Sequence, residues 1–269
     1  MTALPADLAE SFFTPRGTPG GRITLVGAGP GAADLLTLRA LRRLQEAEVV
    51  FYDRLVDPEV LGFCPQAEHV FVGKEVGAHA WPQHRIDAVI VAAALSGKRV
   101  VRLKSGDPGI FGRATEELAA AAAHEIPVEI VPGVSAACAA GAALGRSLTE
   151  RGETDRLTFA TATCREGDET PDWAEALRPG VTLALYMAVR RIETIAAELS
   201  RAGAPGTLEV EVVGAASTAR ERTLRCTLEE MVPAMAREGI RAPAIILIRY
   251  PKTAAAPQPS AAVVGAAQS

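Results

Sequence analysis

The order of patterns at the start of the chain constrains its fold most. An apolar run at residues 23–26 leads into a glycine-rich loop, G-A-G-P-G-A, at 27–32; Leu35, Leu36, Leu38, Leu41 and Leu44 follow at helical spacing, and a second apolar run at 49–52 ends in Asp53. Short apolar runs rich in β-branched residues read as buried strands, and leucines three and four apart read as one helix face. Neighbouring parallel strands need a crossover, which a helix lying on the sheet supplies. The opening therefore predicts a parallel sheet with right-handed crossovers. The alternation continues with a helix around 58–62, a strand at 69–72, a glycine-containing loop at 73–82 and a helix at 82–95 stopped by Ser96-Gly97. A strand through Val100, Val101 and Leu103, a helix at 115–124 and a strand at 128–131 complete the series.

After the turn Pro132-Gly133-Val134-Ser135 the composition shifts to small residues, and a helix is expected at 136–144 with Ser135 as its cap. A second strand–helix series then begins: strands at 158–162, 181–187, 209–213 and 244–248, an edge strand at 223–226, and helices at 191–201 and 228–238. The expected architecture is α/β in two domains, 22–133 and 134–252, with a flexible arm at 1–21 and a disordered tail at 253–269. A length of 269 residues, with 48% hydrophobic and 22% charged residues, suits that soluble plan.

Composition narrows the function classes. No apolar run approaches the roughly 18 residues of a membrane span. The first twenty residues, with Asp7, Glu10 and three prolines, lack a signal-peptide core, so the reading is cytoplasmic with no membrane partner. A net charge of -4 and an aromatic content of 4% argue against nucleic acid. Cys64, Cys138, Cys164 and Cys226 are widely spaced and make no close pair with His69, His79, His84 or His124, which predicts neither a disulfide framework nor a metal site.

Two glycine loops carry the chemistry. The first satisfies G-x-G-x-x-[GA] between a strand and a helix, with Asp53 where a dinucleotide-binding fold places its ribose-binding acid. Pro30 weakens that reading by removing an amide from the helix start where a pyrophosphate would bind. Arg54 beside Asp53 offers it a partner. The second is V-V-R-L-K-S-G-D-P-G-I-F-G-R at 100–113, a strand end carrying Arg102 and Lys104 that breaks into a Gly-Asp-Pro turn. Gly106 and Gly109 permit close approach to a ligand, and Pro108 biases Asp107 away from the helical region. Taken alone, this is a binding loop or an ordinary turn.

Taken together, the segments resemble the tetrapyrrole methylase family, and within it the enzymes that C-methylate uroporphyrinogen III. The resemblance lies in V-G-A-G-P-G-A-A-D-L-L-T-L-R-A (26–40), Y-D-R-L-V (52–56), V-G-K-E-V-G-A-H-A-W-P-Q-H-R-I (72–86), the loop continued to 118, and V-P-G-V-S-A (131–136). Two shorter segments, L-Y-M-A (185–188) and A-P-A-I-I-L-I (242–248), extend it. It implies two α/β domains with the active site in the cleft between them, a homodimer, and S-adenosylmethionine as methyl donor, released as S-adenosylhomocysteine, with no metal. It implies cofactor contacts from Pro30, Ser105, Gly106, Asp107, Ile110, Ser135, Ala136, Met187, Ala216, Pro243 and Ala244, a proton acceptor at Asp53 and a proton donor at Lys74. Ser105 and Gly109 stand where the family usually has glycine and phenylalanine, and Glu150 replaces a histidine in S-L-T-E-R (147–151).

The implied reaction is addition of two methyl groups to pyrrole carbons of rings A and B, giving precorrin-2 at the branch to sirohaem and cobalamin. Transfer from a sulfonium needs alignment rather than a covalent enzyme intermediate. A proton must then leave the macrocycle, which suits a carboxylate such as Asp53. Asp53 reads alternatively as a capping or Arg54-paired residue, and Lys74 as a solvated loop lysine. An octa-anionic substrate calls for cations, with Arg39, Arg102, Lys104, Arg113 and Arg151 as candidates; each taken singly reads as a surface charge. Met187 reads equally as a cover for adenine or as a core residue. Three alternatives stand beside the first reading: a methylase of a later corrin precursor, a catalytically weak tetrapyrrole- or cofactor-binding protein, and a nicotinamide dehydrogenase module.

Overall fold

The structure is a computed structural model that describes residues 20–73, 81–163 and 172–253. Lys74, His79, Cys164 and nearly all of both terminal segments lie outside the described residues. The chain divides into two units: one holds Ala33–Val134 and the residues up to Gly29, the other holds Pro30–Ala32 and the residues from Ser135 on.

The first unit carries β1 (Arg22–Gly27), β2 (Val49–Tyr52), β3 (Glu68–Phe71), β4 (Arg99–Lys104) and β5 (Val128–Val131). Their order is β3-β2-β4-β1-β5 and every pairing is parallel, as the opening alternation requires. Its helices are α1 (Leu38–Glu46), α2 (Pro58–Leu61), α3 (Gln83–Leu95) and α4 (Ala114–Ala122). The leucines at 35–44 do not share one helix face. Thr37 caps α1, its hydroxyl accepting from the Ala40 amide at 3.1 Å; this leaves Leu35 in a separate 3-10 turn, Ala33–Leu35, and Leu38 exposed.

Successive strand residues point to opposite faces. On one face Ile23, Leu25, Val49, Phe51 and Val100 pack with Ile86, Ile90 and Val91 of α3 and Ala121 of α4. On the other, Val26, Val50, Val101 and Leu103 pack with Leu44 of α1 and Val60 of α2. The alternation that aims Val100 at α3 and α4 also aims Arg102 and Lys104 there.

The second unit carries β6 (Arg156–Thr161), β7 (Val181–Tyr186), β8 (Glu209–Gly214), β9 (Arg222–Thr227) and β10 (Ala244–Tyr250), in the order β6-β7-β10-β8-β9. Only β6 and β7 run parallel; the other pairings are antiparallel, and β9 is the expected edge strand. Helices α6 (Trp173–Ala176), α7 (Ile192–Arg201) and α8 (Met231–Arg237) cover one face through Trp173, Ile195, Leu199 and Met231. The small-residue helix α5 (Ala136–Ala143) covers the other through Ala137, Ala139 and Ala140, against Ala184, Val213 and Leu247.

That second face also buries a charge. Glu211, inside the apolar run of β8, is fully buried; its Oε1 accepts from Arg225 Nε at 3.0 Å and Arg146 Nη1 at 3.2 Å, and its Oε2 lies 3.7 Å from Arg249 Nε. Arg225 also donates to the carbonyl of Leu144 at 3.0 Å, and Arg249 to that of Ser147. The arginines therefore neutralise the carboxylate and tie the chain leaving α5 to the sheet. Removing the charge from one partner of a buried ionic group leaves the others uncompensated, at about 3–5 kcal/mol. Glu211→Gln is expected to lose that much in urea unfolding, and a loss below about 1 kcal/mol would show that the arginines are solvated without it.

Candidate functional site

In the first unit β1 and β4 are neighbours whose onward connections run to opposite sides of the sheet, to β2 and to β5. Open α/β sheets bind ligands outside the carboxyl ends of such strands. Here those ends meet backbone to backbone. The Ala28 amide donates to the carbonyl of Lys104 at 2.7 Å, and Gly106 donates to Gly29 at 2.6 Å while accepting back at 3.3 Å. A Cβ on Gly133, just past β5, would lie 2.2 Å from the carbonyl oxygen of Gly106; one on Gly27 would lie 2.6 Å from the Gly133 Cα. Only glycines permit this approach.

The loop after β4 is held by its own acid. Asp107 Oδ1 accepts from the Gly109 amide at 2.8 Å, and Oδ2 accepts from the Gly133 amide at 3.0 Å. Gly106 has a φ of +69°, a left-handed value that costs glycine little. Phe111 and Arg113 take φ of 53° and 58° without that freedom, and residues held in such conformations cluster at ligand clamps. Ser105 and Ile110 are half-buried in the same loop.

Asp53 lies at the carboxyl end of β2. Its Oδ1 accepts from the Leu55 amide at 3.1 Å, and its Oδ2 is 3.5 Å from Nη2 of Arg102. The neighbour expected from sequence, Arg54, is exposed. Arg102 and Lys104 are not surface charges: they are 5% and 4% exposed, beside Glu117 of α4 at 4%. Glu117 accepts from Lys104 Nζ at 2.7 and 2.8 Å and from Arg102 Nε at 3.1 Å. Burial, reinforced by Arg102, holds the Lys104 ammonium below its ordinary 10.5 against the pull of Glu117.

In the second unit the expected cofactor residues fall on loops at one end of the sheet. Ser135 stands at the N-cap of α5, but its hydroxyl does not cap; it bonds the hydroxyl of Tyr186, which also accepts from the Ala137 amide at 3.1 Å. Met187 follows with a φ of 54° and 48% exposure, so it is not a core residue. Ala215 and Ser217 flank buried Ala216 with φ of 47° and 60°, and the Ala215 amide donates to the carbonyl of Pro243 at 2.9 Å. Ala244 pairs with Gly214 across the sheet, which brings Pro243 to this end. The first glycine loop joins the same group: the Ala32 amide donates to Ser217 Oγ at 3.2 Å, and a Cβ on Gly31 would meet Thr218 Cγ2 at 2.5 Å. Pro30 is half-buried beside them.

Ala136, Ala216 and Tyr186 share one apolar cluster, next to the exposed Met187 thioether. Small apolar groups with a polarizable sulfur fit the face of a purine, which is what an adenosyl sulfonium cofactor presents. Among the remaining candidates, Arg39 and Arg151 are exposed, and Arg113, half-exposed, donates to Glu116 at 2.9 Å. The buried thiols of Cys64 and Cys226 are pushed up to about 11 by burial, which leaves them protonated and inert. Among the described residues no group of three or more His, Cys, Asp or Glu is disposed to hold a metal ion, and no helix is long and apolar enough to cross a membrane. Sequence reading passed over Glu117, Ser217 and the capping role of Tyr186. For Glu117 a signal existed: two cations alternating on a buried strand require an anion on the helix that follows.

An α/β fold with glycine loops and strained residues gathered at strand ends is the frame of a small-molecule binding enzyme. The sequence profile of the Tetrapyrrole (Corrin/Porphyrin) Methylases matches residues 22–232, and the chain belongs to that family. The siroheme synthase of Tolumonas auensis is 45% identical over 230 residues, 85% of this chain and 49% of the relative. That of Nitrosococcus oceani is 42% identical over 247 residues, 91% of this chain and 52% of the relative. The chain thus spans about half the length of the curated relatives it matches. Among solved structures, the uroporphyrin-III C-methyl transferase of Thermus thermophilus complexed with S-adenyl homocysteine superposes with a TM-score of 0.73 at 40% identity, covering 85% of this chain and 97% of that one. A cobalt precorrin-4 methyltransferase gives a TM-score of 0.75 at 30% identity, covering 85% and 95%.

The depressed Lys104 has a consequence for stability. Between its folded value and the ordinary 10.5, the unfolded chain binds the Lys104 proton more tightly than the folded chain does. The lysine's contribution to stability is therefore least favourable below that window and improves as pH rises through it. The stability of the wild type relative to Lys104→Met is expected to rise as pH climbs toward the ordinary 10.5 in urea titrations; a flat or falling difference would mean that the ammonium is not desolvated.

Proposed function

We propose that the chain is an S-adenosylmethionine-dependent C-methyltransferase acting on uroporphyrinogen III, adding methyl groups at two pyrrole carbons to give precorrin-2 for sirohaem or cobalamin synthesis. The observation that carries this reading is the 40% identity across 97% of the Thermus thermophilus uroporphyrin-III C-methyl transferase. We include in it a homodimer, which rests on the family resemblance, and a cytoplasmic setting.

S-Adenosylmethionine, when bound, supplies an electrophilic methyl group. The chain's task is to hold donor and acceptor at near-attack distance and to manage one proton per transfer. Ser105, Gly106, Asp107 and Ile110, with Pro30, Ser135, Ala136, Met187, Ala216, Pro243 and Ala244, are the residues we assign to the cofactor. The Asp107 carboxylate acts there by fixing the loop, since both of its oxygens bind backbone amides. Asp53, partly exposed beside Arg102, is the base that takes the proton released from the macrocycle. Lys74 keeps the proton-donor role implied by the family. Exposed Arg39 and Arg151 and half-exposed Arg113 are suited to meet peripheral carboxylates in a bidentate manner. Arg102 and Lys104, being buried, serve the substrate indirectly.

Anaerobic incubation with uroporphyrinogen III and labelled S-adenosylmethionine, followed by mass analysis, is expected to show two added methyl groups. No added methyl would remove the reading, and transfer only to a later corrin precursor would replace it with the second methylase reading. Asp53→Asn is expected to lower turnover about 10²–10⁴-fold while S-adenosylhomocysteine binds nearly as before. Unchanged turnover would return Asp53 to a structural role.

A further inference from the structure

The least explained feature of the first unit is the buried carboxylate of Glu117. It neutralises two buried cations, and its geometry goes beyond neutralisation. Its partners show what it does. Arg102 is restrained on almost every side: Nε donates to Glu117 at 3.1 Å, and Nη1 donates to the carbonyls of Leu103 at 2.9 Å and Phe51 at 3.4 Å. The remaining nitrogen, Nη2, is left facing Asp53 Oδ2 at 3.5 Å. A guanidinium is planar, so fixing Nε and Nη1 also fixes the direction of Nη2. Lys104 occupies both Glu117 oxygens, which keeps the carboxylate from rotating away from Arg102.

We propose that Glu117 is a positioning residue for the methyl-transfer chemistry, acting through Arg102 to hold the Asp53 carboxylate in the orientation from which it takes the substrate proton. The assignment rests on the reading of Asp53 as the base. With Glu117 in place, Arg102 is shared between two carboxylates and stays at a long 3.5 Å from Asp53, close enough to aim it and too far to bind both of its oxygens. Without Glu117, two buried cations lose their shared anion. Arg102 is then free to swing onto Asp53 as a bidentate partner and occupy the lone pairs that the proton needs. Asp87, on the neighbouring helix α3, does not replace Glu117: its carboxyl is held above the usual range by burial and accepts a hydrogen bond from Gln83 at 2.7 Å.

The test is a turnover cycle on the full chain with Glu117→Gln, Arg102→Met and the double variant, counting folded sites by titration with S-adenosylhomocysteine. Glu117→Gln is expected to lower kcat per folded site about 10- to 100-fold, as for a misaligned catalytic group, with KM for S-adenosylmethionine within about twofold of wild type. In the Arg102→Met background the same change is expected to have no further effect, because the two residues act as one unit. If Glu117→Gln does not fold, Glu117→Gln/Lys104→Gln removes one anion and one cation together and is expected to show the same loss. A kcat per folded site within about twofold of wild type, or losses that simply add, would overturn the positioning role. The control is Asp53→Asn. Full turnover there rejects the base itself; lost turnover there with normal turnover in Glu117→Gln rejects only the positioning.

Discussion

The first unit depends on the contact among Gly27, Gly106 and Gly133. Three parallel strands end side by side, and their backbones approach until the Gly106 carbonyl lies where any Cβ on Gly133 would stand, 2.2 Å away. Main-chain dipoles at that range must be paired or they repel. The pairing comes from Gly29 with Gly106 on one side and from the Gly133 amide with Asp107 on the other. The loop after β4 is consequently fixed before any ligand arrives. Preorganisation of this kind favours binding, because the ordering cost falls on folding rather than on association.

Each unit also buries one carboxylate against arginine, on the sheet face covered by a neighbouring helix. Glu211 in the second unit has three arginines and ties the chain after α5 to the sheet. Glu117 in the first unit has one arginine and one lysine, and its arginine continues to a partly exposed aspartate. The desolvation cost is of the same order in both, several kcal/mol per ion. The geometry separates them. At Glu211 two of the arginines end on backbone carbonyls, Arg225 on Leu144 and Arg249 on Ser147, and the third, Arg146, ends on Glu209, which is scaffolding. At Glu117 the arginine ends on Asp53, the group to which proton chemistry is assigned.

Much of this was legible in the sequence. The alternation of apolar runs with helical spacing from residue 23 to 131 reads directly as a parallel sheet, since a core on both faces leaves short continuous apolar runs in the strands. The edge strand expected at 223–226 is β9, which stands last in the strand order. The break at Thr37 was not legible: a cap acts through one hydroxyl and leaves no trace in apolar periodicity, so Leu35 and Leu38 joined a helix that does not contain both. Arg102 and Lys104 read as surface charges because the helix after β4 opens with Glu116 and Glu117 side by side, and only the three-dimensional packing shows that Glu117 faces the strand. Met187 was ambiguous for a related reason. Whether a methionine after a strand is core or exposed depends on a single backbone dihedral, and its φ of 54° turns it outward. The convergence of Pro243, Ala215 and Ser217 required the antiparallel register of β10 with β8, which no local pattern encodes.

With the cofactor assigned to Ser105, Gly106, Asp107 and Ile110 as proposed, the central claim is that the glycine contact holds the loop after β4 in the shape that would receive it. Calorimetric titration of S-adenosylhomocysteine into Gly133→Ala, with folding checked by circular dichroism, tests it most directly. Overpacking of a close backbone contact costs about 1–3 kcal/mol, and if that strain is relieved by shifting the loop, the affinity is expected to fall by about tenfold or more while the fold is retained. An unchanged affinity in a folded Gly133→Ala protein would contradict the claim, because the loop would then hold its shape without the contact.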